Sequence, residues 1–181
     1  MTCMNWISVK KELQKLPEKE IFHILKEIYY SHPDSKNYLI SKTHPDQGIQ
    51  KYKDIIDHCM YPNVMSSTQK ISIPKAKKAI SDYSKSTSDV QGTIELMMNF
   101  VETGHKFTSD YGDMYEQFYD SLISMFQRIT KKLRQNSQLI PDFYDRLNKI
   151  SNESQNFGWG YCYVADIFSE FCEDMSLDSH D

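Results

Sequence analysis

The chain has 181 residues, of which 39% are hydrophobic and 25% are charged, and its formal net charge is -4. This length suffices for one domain with its own core, and the composition is that of a globular rather than a disordered chain. No run approaches the ~20 apolar residues of a transmembrane helix, and residues 1–11 lack the apolar core of a secretory signal. We therefore expect a cytoplasmic protein without membrane association.

Helical periodicity begins near the N-terminus. Ser8 fits the N-cap of a first helix that ends at Leu16, and Pro17 fits the first turn of a second. In the second helix apolar residues recur at i, i+4, i+7 and i+8 and predict a single apolar stripe, made of Ile21, Leu25, Ile28 and Tyr29.

Proline also marks the helices that follow. His32-Pro33 ends the second helix and begins a third, expected over residues 33–41. A fourth is expected over 46–61, and the polar stretch 66–72 predicts a loop or at most a short extended segment. The inward positions of the fourth helix are Ile49, Tyr52, Ile56 and Cys59.

The second half of the chain continues the pattern. Pro74 begins a helix, and residues 86–89 supply the cap of the next one. Asp113 with Glu116 three residues later resembles a capping box ahead of the most regular amphipathic run. The residues predicted at the centre of the core belong to that run and are Phe118, Leu122, Phe126 and Ile129.

Together these patterns predict an all-α fold. We expect one domain over residues 1–175 with seven to nine mostly antiparallel helices, arranged as a helical bundle or a short helical-hairpin array. Residues 176–181 are expected to form a frayed acidic tail.

Four segments carry a family resemblance. They are KYKDIIDHCMYP (51–62), PKAKKAISDYSK (74–85), NFVETGHKFTSDYGDMYEQFYDSLISMF (99–126) and FGWGYCYVADIF (157–168). The chain resembles an uncharacterised bacterial family of small helical proteins, domain-of-unknown-function family 6155. The resemblance implies a helical, stand-alone bacterial protein, and it assigns no activity and no catalytic residue.

The first candidate site is Glu102-Thr-Gly-His105. A Glu-x-x-His pair places both side chains on one helix face, as in di-iron carboxylate bundles, but the chain has no second such pair. A metal site would also need Asp110 or Asp113 as a ligand. The other interpretation is that Gly104 weakens the helix, Asp113 caps the next one, and His105 is a surface or hydrogen-bonded residue.

We take this corner of Glu102, His105, Asp110 and Asp113 as the predicted functional pole. A carboxylate beside His105 would raise its pKa, and a bound divalent cation would favour the neutral imidazole.

Asp110-Tyr-Gly-Asp113 does not fit an EF-hand, because Gly112 comes too early. His-Pro-Asp at 32–34 and 44–46 is similar to the J-domain tripeptide, although two helix starts explain both copies.

The aromatic segment that begins at Phe157 is a second candidate. Trp159, Tyr161 and Tyr163 alternate with small residues and could form an aromatic surface for a flat ligand or for stacked bases. The alternative, which we favour, is that glycine shapes the approach to the last helix and the rings close the end of the core.

Two further residue types leave alternatives open. The lysine cluster is a third candidate and comprises Lys70, Lys75, Lys77, Lys78 and Lys85. With Lys10 and Lys11 it could form a phosphate-binding surface, and the alternative is a solvated helix face. Among the cysteines, a disulfide between Cys162 and Cys172 stays possible, although free thiols are favoured in a reducing compartment.

A catalytic role is not favoured, because the chain lacks a nucleophile triad, a phosphate loop and a zinc spacing. We predict a non-catalytic protein-interaction or scaffold domain without a cofactor, whose partner is another protein or a second copy of the chain. One alternative is a metal-binding protein or metal-dependent enzyme that uses Glu102 and His105 with a divalent metal. The other is nucleic-acid binding through residues 70–85.

Overall fold

The computed structural model describes residues 5–66 and 70–177, which form nine α-helices and one short 3₁₀ helix and contain no strand. The all-α prediction is confirmed. Cys3, the middle of the predicted loop and most of the predicted tail lie outside the described residues. The α-helices are α1 Trp6–Leu13, α2 Glu18–Ser31, α3 Pro33–Thr43, α4 Pro45–Met60, α5 Ile73–Thr87, α6 Val90–Tyr111, α7 Glu116–Arg134, α8 Ile140–Ser154 and α9 Tyr163–Asp174.

These helices fall into two compact units, Met1–Gly48 and Ile49–Asp181. The first contains α1, α2, α3 and the start of α4, and the second contains the rest of α4 and the remaining helices. One domain over residues 1–175 stays a prediction. No helix in the described ranges is both long enough and apolar enough to cross a membrane.

Helix boundaries in the first unit follow from proline and one amide side chain. Both His-Pro dipeptides precede helices as predicted, because Pro33 and Pro45 are the first residues of α3 and α4. The N-cap of α1 is Asn5 rather than Ser8, since its Oδ1 accepts a hydrogen bond from the Ser8 backbone N–H at 3.1 Å. That helix ends at Leu13, three residues earlier than predicted.

The predicted apolar stripe of α2 is present, but it is not a core element. Helix α2 packs against α3, yet neither α1 nor α2 contains a buried residue. Leu25 and Ile28 of the stripe are exposed, whereas Ile21 and Tyr29 are half-buried. Phe22, which the predicted stripe does not include, is 61% exposed. The stripe therefore leaves apolar surface on this unit that its own helices do not cover.

The second unit has a continuous hydrophobic core. Helix α6 packs against α5, α7 and α8, and α9 packs against α7 and α8. The residues predicted for the centre of the core, Phe118, Leu122, Phe126 and Ile129, are completely buried, which confirms that part of the sequence interpretation.

Asp89 secures the start of α6. Its Oδ1 accepts from the Gly92 backbone N–H at 3.0 Å, and its Oδ2 accepts from the Tyr83 hydroxyl at 2.6 Å. The cap predicted within residues 86–89 is thus confirmed, and the same carboxylate joins the end of α5 to the start of α6.

Helix α6 is not interrupted at Gly104, where one of the two sequence interpretations expected a weak point in the helix. It continues to Tyr111 and ends before Gly112, whose φ of +91° suits glycine. Gly104 is buried, and a Cβ built on it would lie 2.6 Å from Cδ2 of Leu122 on α7. A larger side chain at this position would displace the completely buried Leu122, so the glycine allows α6 and α7 to pack closely.

The predicted capping box at the start of α7 is wrong. The N-cap is Tyr115, which makes no side-chain capping bond, and the helix begins at Glu116. Asp113 instead accepts a hydrogen bond from the Tyr119 hydroxyl at 2.8 Å. The carboxylate thus fixes a core tyrosine rather than capping the helix.

Candidate functional site

Glu102 and His105 both reach α8 from the same side of α6. Glu102 accepts two hydrogen bonds from Arg146, each of 2.7 Å. Nε2 of His105 lies 3.0 Å from Oε2 of Glu153. The predicted pairing on one helix face is therefore present, but each side chain is engaged by its own partner on α8.

Burial sets the protonation of His105. Its side chain is almost completely buried, and this burial lowers its pKa more than the Glu153 carboxylate raises it. The sequence predicts that a carboxylate beside His105 raises the pKa of the imidazole. That expectation is wrong in its net direction, because the ring lies inside the aromatic end of the core.

An aromatic pocket surrounds the imidazole. The ring of Phe157 meets it edge-on with centroids 5.1 Å apart, and the ring of Tyr161 lies at 5.8 Å. Nδ1 of His105 and the hydroxyl of Tyr161 are buried and have no hydrogen-bond partner among the described residues. Burial also raises the pKa of Tyr161 strongly, so this hydroxyl stays protonated.

Asp110 and Asp113 lie in separate surroundings. The Tyr61 hydroxyl donates to Asp110 at 2.6 Å, and Lys106 forms an ion pair with the same carboxylate. The hydrogen bond to Asp110 raises the pKa of Tyr61 to about 12. Asp113 instead accepts the hydrogen bond from the Tyr119 hydroxyl.

The described residues contain no group of three or more His, Cys, Asp or Glu side chains that could hold a metal ion. Glu102, His105, Asp110 and Asp113 are each engaged by a different protein group. That ligand or partner binding depends on this corner stays a prediction.

Arg146 is a residue that the sequence interpretation missed. In addition to Glu102, it binds Glu95, and Lys53 of α4 donates to the same Glu95 carboxylate at 2.6 Å. Burial alone would raise the pKa of Glu95, but the hydrogen bonds from Arg146 and Lys53 lower it overall. The network ties α4, α6 and α8 together. Its only sequence signal is the seven-residue spacing that puts Glu95 and Glu102 on one helix face.

The aromatic segment divides into a buried and an exposed part. Tyr161 is completely buried and packs on Tyr119, so it does not belong to a surface. Trp159 and Tyr163 are exposed. Trp159 adopts a positive φ of 54°, and Gly160, at φ +74°, lies against the Tyr163 ring. This arrangement agrees with the interpretation that glycine shapes the approach to α9.

The lysine cluster lies mainly on α5. Lys78 pairs with Asp82 one turn later at 2.5 Å. Lys77 is partly buried, and burial followed by the positive charge of Arg128 on α7 lowers its pKa. The structure thus adds a residue of α7 to the cationic surface that the sequence placed at residues 70–85.

Cys59, Cys162 and Cys172 are free thiols, so the disulfide that the sequence left open between Cys162 and Cys172 is not formed. Cys162 is exposed, whereas burial raises the pKa of Cys59 and of Cys172. The two buried thiols therefore act as small apolar side chains.

An open groove of about 640 Å³ runs between α4 and α6. Asp57, one of its lining residues, accepts hydrogen bonds from Asn99 and Thr103. The groove is thus lined in part by side chains that bind each other.

The sequence matches a known protein family over most of its length. A model of a family of unknown function (DUF6155) matches residues 4–171, which span both compact units. No curated protein and no solved structure matches the chain. The resemblance inferred from the four sequence segments is thereby confirmed.

Proposed function

The chain belongs to the DUF6155 family of unknown function, and we propose that it is a non-catalytic protein-interaction domain that pairs with a second copy of itself through helix α2. The observation that carries this proposal is the exposure of Phe22, Leu25 and Ile28 on a helix without a buried residue. Exposed apolar side chains grouped on one helix are typical of interaction surfaces.

A seven-residue repeat in α2 favours a helix as the partner. Lys19-Glu20-Ile21-Phe22 is followed by Lys26-Glu27-Ile28-Tyr29, so that Lys, Glu, Ile and an aromatic residue each recur on the same side of the helix after two turns. Repeats of this length are typical of helices that pack lengthwise against other helices. The repeat was not recognised in the sequence interpretation, which identified only the apolar stripe.

The charges of α2 favour a second copy over a membrane. Its exposed polar residues include both Lys19 and Lys26 and both Glu20 and Glu27. A helix that lies on an anionic lipid surface is instead rich in Lys and Arg on its polar face. Two copies of a helix with both signs of charge can meet without net repulsion, and such a pair would be isologous.

The test is the mass of the full chain in solution by light scattering over a range of concentrations. We expect the wild-type chain to be a dimer, and Phe22→Ser combined with Ile28→Ser to be a monomer with an unchanged circular dichroism spectrum. Tyr163→Ser, which removes an equally exposed ring from the second unit, is the control and should leave the dimer intact. A monomeric wild-type chain, or a dimer that survives the double substitution, would overturn the proposal.

The resemblance implied a bacterial protein, and the sequence predicted a cytoplasmic one. Both stay predictions, and the proposed pairing does not depend on either of them.

A further inference from the structure

Helix α1 exposes two large apolar side chains that the pairing through α2 does not use. Trp6 is 68% exposed and Ile7 is 64% exposed, and both belong to the first turn of the helix. The apolar residues on the other side of α1 are less accessible, because Val9 is 38% exposed and Leu13 is half-buried. The outward side of α1 therefore begins with an indole ring and an isoleucine in contact with water.

The other helices of the first unit do little to hold α1. The helix has eight residues, and none of them is buried. Helix α2 packs against α3, whereas α1 has no comparable packing against either of them. An isolated helix of this length is marginal in water, because most helical stability in proteins comes from packing. A surface that covers Trp6 and Ile7 would therefore stabilise α1.

The charge that α1 leaves unpaired is positive. Lys10 and Lys11 lie in its last turn, both are exposed, and neither forms an ion pair with a described residue. Glu12, the acidic residue of this helix, is paired with Lys15 at 2.7 Å. A partner of α1 should therefore be anionic.

The two lysines lie on the same side of α1 as the exposed apolar residues. Lys10 follows Trp6 by four residues, and Lys11 follows Ile7 by four residues, so each lysine lies one turn beyond an apolar side chain. We call these four residues the α1 face. Tryptophan is enriched where membranes meet water, and lysine can extend its ammonium group to lipid phosphates while apolar neighbours enter the lipid. In contrast to α2, which carries charges of both signs, the α1 face thus has the composition of a lipid-binding surface.

We propose that the α1 face binds the surface of membranes that contain anionic lipids. Trp6 and Ile7 enter the boundary between headgroups and acyl chains, and Lys10 and Lys11 contact the headgroup phosphates. The proposal departs from the expectation of no membrane association, which rested on the lack of a spanning segment and of a secretory signal. Binding at the surface needs neither of these. It goes beyond the pairing through α2 and does not depend on it.

The experiment is flotation of the full-length chain with vesicles of phosphatidylcholine alone and with vesicles of phosphatidylcholine mixed with phosphatidylserine. We expect binding to the mixed vesicles only. Added salt should weaken it, because exposed charges are screened. Binding of equal strength to both kinds of vesicle, or to neither kind, would overturn the proposal.

Lysine variants test the electrostatic part of the contact. Lys10→Gln with Lys11→Gln should weaken binding to the mixed vesicles by about tenfold or more. Lys75→Gln with Lys85→Gln makes the same change in total charge at exposed positions of α5 and should alter binding by less than about threefold. An equal loss in both variants would mean that binding follows net charge alone, which would overturn the proposal.

The apolar side chains provide a second readout. Trp6→Ser with Ile7→Ser should abolish vesicle binding without lowering the melting temperature, because neither residue is buried. The chain has two tryptophans, so Trp159→Phe leaves Trp6 as the fluorophore and Trp6→Phe leaves Trp159. Brominated acyl chains in the mixed vesicles should quench Trp6 and leave Trp159 unquenched. Unquenched emission from Trp6 would overturn the proposal, as would binding to polyglutamate in place of the vesicles, which would indicate an acidic protein partner.

Discussion

Nε2 of His105 on α6 lies 3.0 Å from Oε2 of Glu153 on α8, and the imidazole is nevertheless buried enough for its pKa to be lowered. The contact joins two helices of the second unit at the aromatic end of its core. It also makes the stability of this unit depend on pH in a direction that follows from burial rather than from the ion pair.

The first prediction concerns that dependence. Because the pKa of His105 is lower in the folded chain than in the unfolded chain, the unfolded chain binds the proton more tightly. This contribution to stability is fully present above the ordinary histidine pKa of about 6.5 and is lost as the pH falls below it. We expect the free energy of unfolding of the wild-type chain to fall more steeply between pH 7.5 and 5.5 than that of His105→Gln.

Urea unfolding at a series of pH values measures this difference. His58→Gln removes an exposed histidine from the same unit and should retain the wild-type slope. A slope that is unaltered in His105→Gln would contradict the assignment of this pH dependence to the buried imidazole.

The second prediction concerns Gly104. Alanine is favoured over glycine in a helix by about 1 kcal/mol, but its Cβ would lie 2.6 Å from Cδ2 of the buried Leu122. We expect Gly104→Ala to destabilise the chain by about 1–3 kcal/mol, because the packed interface of α6 and α7 must shift. Denaturant unfolding gives the value.

A double-mutant cycle provides the control for Gly104. Leu122→Ala removes the methyl group that the new Cβ would meet, so Gly104→Ala should cost less in the Leu122→Ala background than in the wild type. Additive effects, or a stabilising Gly104→Ala on its own, would show that the two helices do not require this glycine.

The third prediction concerns Arg146. Its guanidinium bridges Glu95 and Glu102, and it is about one-third exposed, so solvent screens the network in part. Arg146→Met should reduce the free energy of unfolding by about 1–3 kcal/mol, since two carboxylates lose charge-assisted hydrogen bonds. Arg146→Lys should recover only part of the loss, because one ammonium group cannot reproduce the fork of the guanidinium.

Lys149→Met serves as the comparison for Arg146. Lys149 is three residues further along α8, well exposed, and 4.0 Å from Glu153. Its removal should change stability by less than about 0.5 kcal/mol. Equal effects of the two substitutions would mean that the Arg146 network contributes no more than an ordinary surface ion pair.

Local patterns in the sequence predicted much of this fold. Proline at helix starts and the apolar spacing of α7 are properties of short segments, and both Pro33 and Phe126 lie where those patterns place them. The capping box at Asp113 failed because Tyr119, a residue of the core, competes for the same carboxylate. Tertiary contacts of this kind are not encoded in local spacing.

The candidate site also combines features that local spacing predicts with contacts that depend on helix packing. The spacing of Glu102 and His105 predicted that they share a face of α6, and they do. Their partners Arg146 and Glu153 follow 44 and 48 residues later on α8, and only helix packing brings them together. The exposure of Leu25 and Ile28 could not be predicted either, because an apolar stripe has the same spacing whether it packs on the chain's own core or on another molecule.

The most direct test of the proposed pairing is a charge series on α2, measured by sedimentation velocity of the full-length chain. Lys19→Glu with Lys26→Glu makes all four charged positions of the repeat acidic. Two copies of the helix should then repel each other, and the dimer should dissociate. Adding Glu20→Lys and Glu27→Lys places two glutamates and two lysines on the helix again, with their positions exchanged. This variant should form the dimer again. A dimer that persists in the all-acidic variant, or a fourfold exchange variant that stays monomeric, would contradict pairing through α2.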